Sequence, residues 1–300
     1  MLTASQLRQE AKRSGARDIL NVEIDVILTH LLQLFHEKGL MEHLAFNGGT
    51  MLRKMVFGPG GRLSTDLDFT SRTDLTPDDL VLKLLDVLEQ KYQNLTFRFD
   101  KDKDWYAIGD SGAANPVCSH DANPRGVKIK LQISTRERPV MPVAEMPQIP
   151  QGYFRLLPFE PAAIPCLALE EVIAEKVRAA SQRSKIRDLH DLSELAGRSF
   201  DRNLVRGLAV LKLWNSGGQG LDFNLFRRNV EGAADYDVDD LRNLLRKDQS
   251  PNLATMQRRV IEGFQFLGTL TALERVLATD GARRLRAESE ALRTTLGGRP

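Results

Sequence analysis

Apolar positions recur at helical spacing over residues 18–38, where Ile19, Leu20, Val22, Ile24, Ile27, Leu28, Leu31, Leu32, Leu34 and Phe35 give a broad stripe. Gly39 follows as the stop. A shorter helix is expected over 3–14, capped near Thr3 or Ser5, and another after Thr76-Pro77, running to about Tyr92. Between these two regions the pattern changes. Leu44-Ala45-Phe46 is a short apolar run, and Asp66-Leu67-Asp68-Phe69 alternates with the period of a strand. Further strands are expected at Leu95–Phe99, Trp105–Ile108 and Val127–Ile133. Residues 109–126 lack periodicity and read as a long loop. A proline-rich stretch follows over 139–165, with a short strand at Phe154–Leu157. Beyond it the pattern is helical at 167–182, 185–192, 202–213, 222–230, 237–247, 252–278 and 280–295. The order predicts an α/β (α+β) lobe with a mixed sheet over 1–165 and an α-helical lobe over 166–300.

Composition narrows the class. A hydrophobic share of 42% suits a globular chain, and no apolar run approaches the roughly 20 residues that a membrane span needs. No secretory h-region opens the chain, and Cys118 and Cys166 match no metal spacing, so a reducing cytoplasm is expected. Net charge is +2, but residues 241–300 hold 11 Lys/Arg against 6 Asp/Glu, which leaves −3 for the rest. Such a basic end suits a polyanionic partner, or a solvated helical surface.

The candidate chemistry concentrates between Asn47 and Phe69. Gly48-Gly49-Thr50 follows the first apolar run and opens a helical segment, an arrangement suited to phosphate. Arg62 offers a planar fork for phosphate and Ser64 a hydroxyl. Asp66 and Asp68 share one strand face and can hold a hard cation through oxygen. The strand at Val127–Ile133 presents Lys128, Lys130, Gln132 and Ser134 on its polar side. Farther on, Lys176 and Arg183 are seven apart on one helical face, and Asp188 and Asp191 three apart on the next helix.

Gly48-Gly49-Thr50-x-Leu52 followed by Arg62-x-Ser64-x-Asp66-x-Asp68-Phe69 resembles the AbiEii/AbiGii-type nucleotidyltransferases. These are toxins of toxin–antitoxin and phage-abortive systems within the polymerase-β-like superfamily, and they include the mycobacterial MenT toxins. Glu175-Lys176-x-x-Ala179 and Arg187-Asp188-x-x-Asp191-Leu192 are similar to two further motifs of that family. The resemblance implies catalytic roles for Asp66, Asp68, Lys176 and either Asp191 or Asp188. It implies nucleotide contacts at Gly48, Gly49, Thr50, Arg62, Ser64 and Lys176, with the metal on Asp66 and Asp68. The metal expected is Mg²⁺, with Mn²⁺ as the alternative, and the substrate a nucleoside triphosphate. The implied acceptor is the 3′ end of tRNA, and the implied partner a cognate antitoxin. Gln132 stands where this superfamily often carries a third acid, so the third ligand is left unassigned. Two other readings stay open: nucleotidylation or phosphorylation of a protein, and a nucleotide-binding module that has lost catalysis.

Overall fold

The computed structural model describes residues 1–89, 91–107, 111–232 and 236–298. The chain forms two units. The first holds Met1–Pro139, Val143–Cys166 and Asn243–Ser250; the second holds Val140–Pro142, Leu167–Arg242 and the residues from Pro251 on.

In the first unit, α1 (Ala4–Ser14) starts on a Thr3/Gln6 capping box and stops at Gly15 in the left-handed region. α2 (Ile19–Glu37) is capped by Asp18. It is long and apolar enough to cross a membrane, but it is mostly buried, as the core helix of this unit. β1 (Leu44–Asn47) leads into the α turn α3 (Gly48–Met51), which continues as π-helix over Leu52–Phe57 and 3-10 helix over Gly58–Gly60. β2 (Asp66–Ser71) and α4 (Pro77–Leu88, boxed by Thr76 and Asp79) follow. Next come β3 (Thr96–Arg98), α5 (Lys101–Asp104), β4 (Trp105–Ala107), β5 (Ser111–Ala114), β6 (Val117–His120), β7 (Asn123–Lys128), β8 (Lys130–Ser134), β9 (Ala144–Met146) and β10 (Ile164–Cys166).

Among the described residues seven strands make a mixed sheet in the order β4-β5-β8-β2-β1-β10-β9, and β3-β6-β7 make a small antiparallel one. β2 is central, antiparallel to β1 and parallel to β8. Its Leu67 and Phe69 are buried, and Phe69 packs on Phe46 at 5.4 Å and on Phe35 of α2 at 6.2 Å between ring centroids. Burying such a ring contributes about 2–3 kcal/mol. That burial fixes which face of β2 carries Asp66 and Asp68, because a one-residue slip would put both carboxylates into the core.

Four expectations are corrected here. The single strand over 127–133 is two: Lys128 ends β7, Ile129 lies between, and Lys130 begins β8 in the other sheet. The long loop over 109–126 contains β5, β6 and the start of β7, while Gly109 and Asp110, like Ile108 of the expected 105–108 strand, lie outside the described residues. β5 was hidden because its small residues give no alternation. Its Gly112 is specified by Trp105, whose Cζ2 would stand 2.7 Å from any Cβ there. Phe154–Leu156 is a 3-10 turn, held by Leu157 N–H donating to Phe154 O at 3.0 Å, and not a strand. The helix expected over 252–278 is broken at Phe264 and Thr269.

The second unit is helical: α6 (Leu169–Gln182), α7 (Ile186–Leu195), α8 (Arg202–Ser216), α9 (Phe223–Glu231), α10 (Val238–Leu244, whose end belongs to the first unit), α11 (Leu253–Gly263), α12 (Ala272–Thr279) and α13 (Arg286–Gly297). α8 is buried from Leu204 to Leu213 and packs on α6. The two are tied by a buried ion pair, Lys212 Nζ to Glu171 Oε1 at 3.0 Å, and Glu171 also accepts the Val140 and Met141 N–H groups. Phe200, Phe226, Phe264 and Phe266 form an aromatic cluster.

Candidate active site

The end of β1 sets the geometry. Gly48 has φ +76°, a conformation that other residues adopt only at a cost. A Cβ at Gly48 would stand 2.8 Å from Asp68 Cβ and 2.9 Å from Asp68 Cγ, so the turn lies directly against the second carboxylate. A Cβ at Gly49 would run into the Arg62 guanidinium and come within 3.3 Å of Ser64 Oγ. Thr50 is fully buried, and its hydroxyl donates to the Asp66 backbone carbonyl. Each residue of the Gly-Gly-Thr turn therefore meets a different member of the Arg-x-Ser-x-Asp-x-Asp segment. Leu63 and Thr65 lie between these members in sequence, and Thr65 Oγ1 donates to Asp66 Oδ1 at 3.1 Å.

Strand register completes the face. Asn47 stands opposite Asp68, and Asn47 Nδ2 donates to Thr70 Oγ1 at 2.7 Å. On the other side Lys130 stands beside Asp66, and Gln132 beside Asp68. Lys130 and Gln132 keep the polar-face positions expected of them, whereas Lys128 lies on β7, outside this register. Asp66 and Asp68 are half-buried; Arg62 and Ser64 are buried.

Among the described residues no three His, Cys, Asp or Glu side chains converge as a metal cluster. The donors on this face are two carboxylates with an amide beside them. That set fits Mg²⁺, which binds through one or two carboxylates and takes its remaining oxygens from water and substrate phosphate.

The second unit holds the other predicted residues. Lys176 Nζ lies 2.8 Å from Asp188 Oδ1 and 2.8 Å from Asp191 Oδ2, so one buried ammonium joins both aspartates of α7. Arg183 donates to Asp188 Oδ2 through Nε at 3.1 Å and Nη2 at 2.9 Å. Burial pushes the Asp188 carboxyl up, but Lys176 and Arg183 outweigh it and hold the group below the usual carboxylate range. Lys176 is 9% exposed and Asp191 2%.

The structure thus gathers Gly48, Gly49, Thr50, Arg62, Ser64, Asp66 and Asp68 at one end of β1 and β2, and Lys176, Asp188 and Asp191 in a cluster of the second unit. It adds Asn47 and Arg53, which sequence reasoning did not single out. Arg53 is buried and donates through Nη1 to the carbonyls of Gly58 and Gly61, fixing the loop before Arg62. No sequence signal marked it, because its acceptors are backbone groups. Cys118 and Cys166 are buried thiols, and burial pushes Cys118 up to about 12.

A family model described as nucleotidyl transferase AbiEii toxin, type IV toxin–antitoxin system, matches residues 30–278. The chain is similar to MenT4, a nucleotidyltransferase toxin from Mycobacterium tuberculosis H37Rv, at 27% identity and TM-score 0.81, over 99% of this chain and 100% of that one. Two Helicobacter pylori structures also match. One is at 18% identity and TM-score 0.49, over 81% of this chain and 94% of that one. The other, JHP933, is at 17% and 0.47, over 89% and 97%. No curated protein matches the chain.

Proposed function

The chain belongs to the AbiEii nucleotidyltransferase toxin family of type IV toxin–antitoxin systems, and we propose that it transfers nucleotides from a nucleoside triphosphate to the 3′ hydroxyl of tRNA, blocking translation. The observation that carries this reading is the packing of Gly48 against Asp68 and Gly49 against Arg62 and Ser64. It supports a phosphate cradle directly beside two carboxylates.

In this reading the Gly48–Gly49 backbone, Arg62 and Ser64 orient the triphosphate, and Thr50 acts by locking β2 to the turn. Asp66 and Asp68 hold the divalent ion, Mg²⁺ or Mn²⁺, which when bound neutralises phosphate charge and lowers the pKa of the attacking hydroxyl. Lys176 offsets the charge of the leaving pyrophosphate as a point cation. Asp188 has both oxygens engaged by Lys176 and Arg183. Asp191 is likewise joined to Lys176, so both aspartates hold that ammonium in place, and the family reading gives one of them, Asp191 or Asp188, the functionally required role. The basic balance of residues 241–300 supports a polyanionic acceptor. A cognate antitoxin and a cytoplasmic setting accompany the family reading.

The test incubates the protein with total tRNA, Mg²⁺ and each α-labelled nucleotide in turn, beside Asp66→Ala. Label on tRNA that the variant loses supports the proposal. Label on a protein band, or from the γ-phosphate alone, moves the reading to protein nucleotidylation or phosphorylation.

A further inference from the structure

A cavity of about 340 Å³ lies in the first unit. Its wall includes Arg13, Asp25, Arg53, Gln151, Tyr153 and Arg246, and none of Gly48, Gly49, Arg62, Ser64, Asp66 or Asp68. Its floor is a buried charged cluster. Lys54, fully buried, donates to Asp25 Oδ1 at 3.0 Å, to Thr29 Oγ1 at 2.8 Å and to Tyr153 Oη at 3.2 Å. Tyr153 in turn donates to Asp25 Oδ2 at 2.9 Å. Arg53 reaches the same carboxylate only at 4.0 Å, and its Nε, buried, has no acceptor among the described residues.

The charges do not balance. Asp25 is one carboxylate facing two buried cations, Lys54 and Arg53. Buried charges are ordinarily paired, because an uncompensated one is costly in a low dielectric. The other charged groups of the wall cancel: Arg13 donates to Glu10, and the exposed Arg246 pairs with Asp248 at 3.1 Å. Gly152 keeps Arg13 in the wall, since a Cβ there would stand 2.6 Å from its Nη1. One positive charge in excess, on Arg53, thus stands in the wall of a space within the range of small-molecule sites.

We propose that this cavity binds a small phosphate-bearing anion on Arg53, with Arg13 and Arg246 at its rim. The oxyanion supplies the charge that the Asp25–Lys54–Arg53 cluster lacks. Because Arg53 Nη1 holds the Gly58 and Gly61 carbonyls, occupancy also sets the loop that runs into Arg62.

The test is calorimetric titration of the full chain with inorganic phosphate and, separately, with a nucleoside monophosphate. An Arg62→Ala background removes the phosphate contact of the candidate active site, so the result does not depend on that site's function. Binding of either probe should persist in this background. It should weaken at least about tenfold with Arg53→Gln, with the exposed Arg246→Ala, and with Ser14→Phe, which fills the cavity. Retained melting temperature in Arg246→Ala and Ser14→Phe separates loss of the site from loss of the fold. Preference for the monophosphate over phosphate identifies a nucleotide as the source. Binding of neither probe, or binding indifferent to Arg246→Ala and Ser14→Phe, overturns the proposal. Amide exchange over Gly58–Arg62 should slow on binding; unchanged exchange there overturns the coupling.

Discussion

Replacing Gly48 by alanine tests the contact on which the candidate site is built. Two costs can be worked out. At φ +76° an alanine costs about 1–2 kcal/mol. Its Cβ would also sit 2.8 Å from Asp68 Cβ and 2.9 Å from Cγ, so the carboxylate must retreat by roughly 0.5–1 Å to reach ordinary contact. Stability should fall by about 1–3 kcal/mol, a melting shift of a few degrees in a unit of this size. Activity should fall far more, because a misplacement near 1 Å can cost on the order of 10²-fold. Gly60→Ala is the internal control. Nothing lies within 4 Å of a Cβ there and its φ is not positive, so both readouts should stay near wild type. In an Asp68→Gly background the side-chain clash is gone, and the thermal penalty of Gly48→Ala should shrink toward the dihedral cost alone. The assay is nucleotide transfer at saturating substrate beside thermal melting of the same preparations. Full activity in Gly48→Ala, or equal losses in Gly60→Ala, would refute the reasoning.

Three other outcomes are expected. Thr50→Val keeps the shape but removes the donor to the Asp66 carbonyl. It should cost about 1–3 kcal/mol in the melt and lower the turnover rate, and an unchanged protein would show that the bond does not hold β2. Asp188 is held below the usual range, so the stability it lends is present above its unfolded pKa of about 3.9 and is lost as pH falls through the lower folded value. Asp188→Asn should therefore be less stable than wild type near pH 6 and approach it near pH 3; parallel melting curves against pH would contradict this. Gln132→Glu places a third carboxylate beside Asp68 and should tighten Mn²⁺ binding, measured by titration; weaker binding would mean that the amide itself is needed.

What the sequence disclosed was whatever its near neighbours specify. The stripe of α2, the alternation of Asp66–Phe69 and the turn at Gly48 all depend on residues a few positions away. β7 and β8 merged in the reading because Val127, Ile129, Leu131 and Ile133 alternate without interruption, while the change of sheet at Ile129 is set by which partner strands are available. β5 was invisible because Gly112, Ala113 and Ala114 pack by being small. The Lys54 cluster could not be foreseen, since Asp25, Thr29 and Tyr153 are 29, 25 and 99 residues from it. Lys176, Asp188 and Asp191 were legible as helix-face residues, but their sharing of one ammonium depends on how α6 and α7 pack.

The most direct measurement of the central claim is the mass of the tRNA acceptor end after incubation with nucleoside triphosphate and Mg²⁺, using intact tRNA and tRNA whose terminal ribose has been oxidised by periodate. The account predicts a gain of one or more nucleotide monophosphate units on intact tRNA only, absent with Asp66→Ala. An unchanged acceptor end, a gain of phosphate alone, or equal modification of the oxidised tRNA would contradict nucleotidyl transfer to the 3′ hydroxyl.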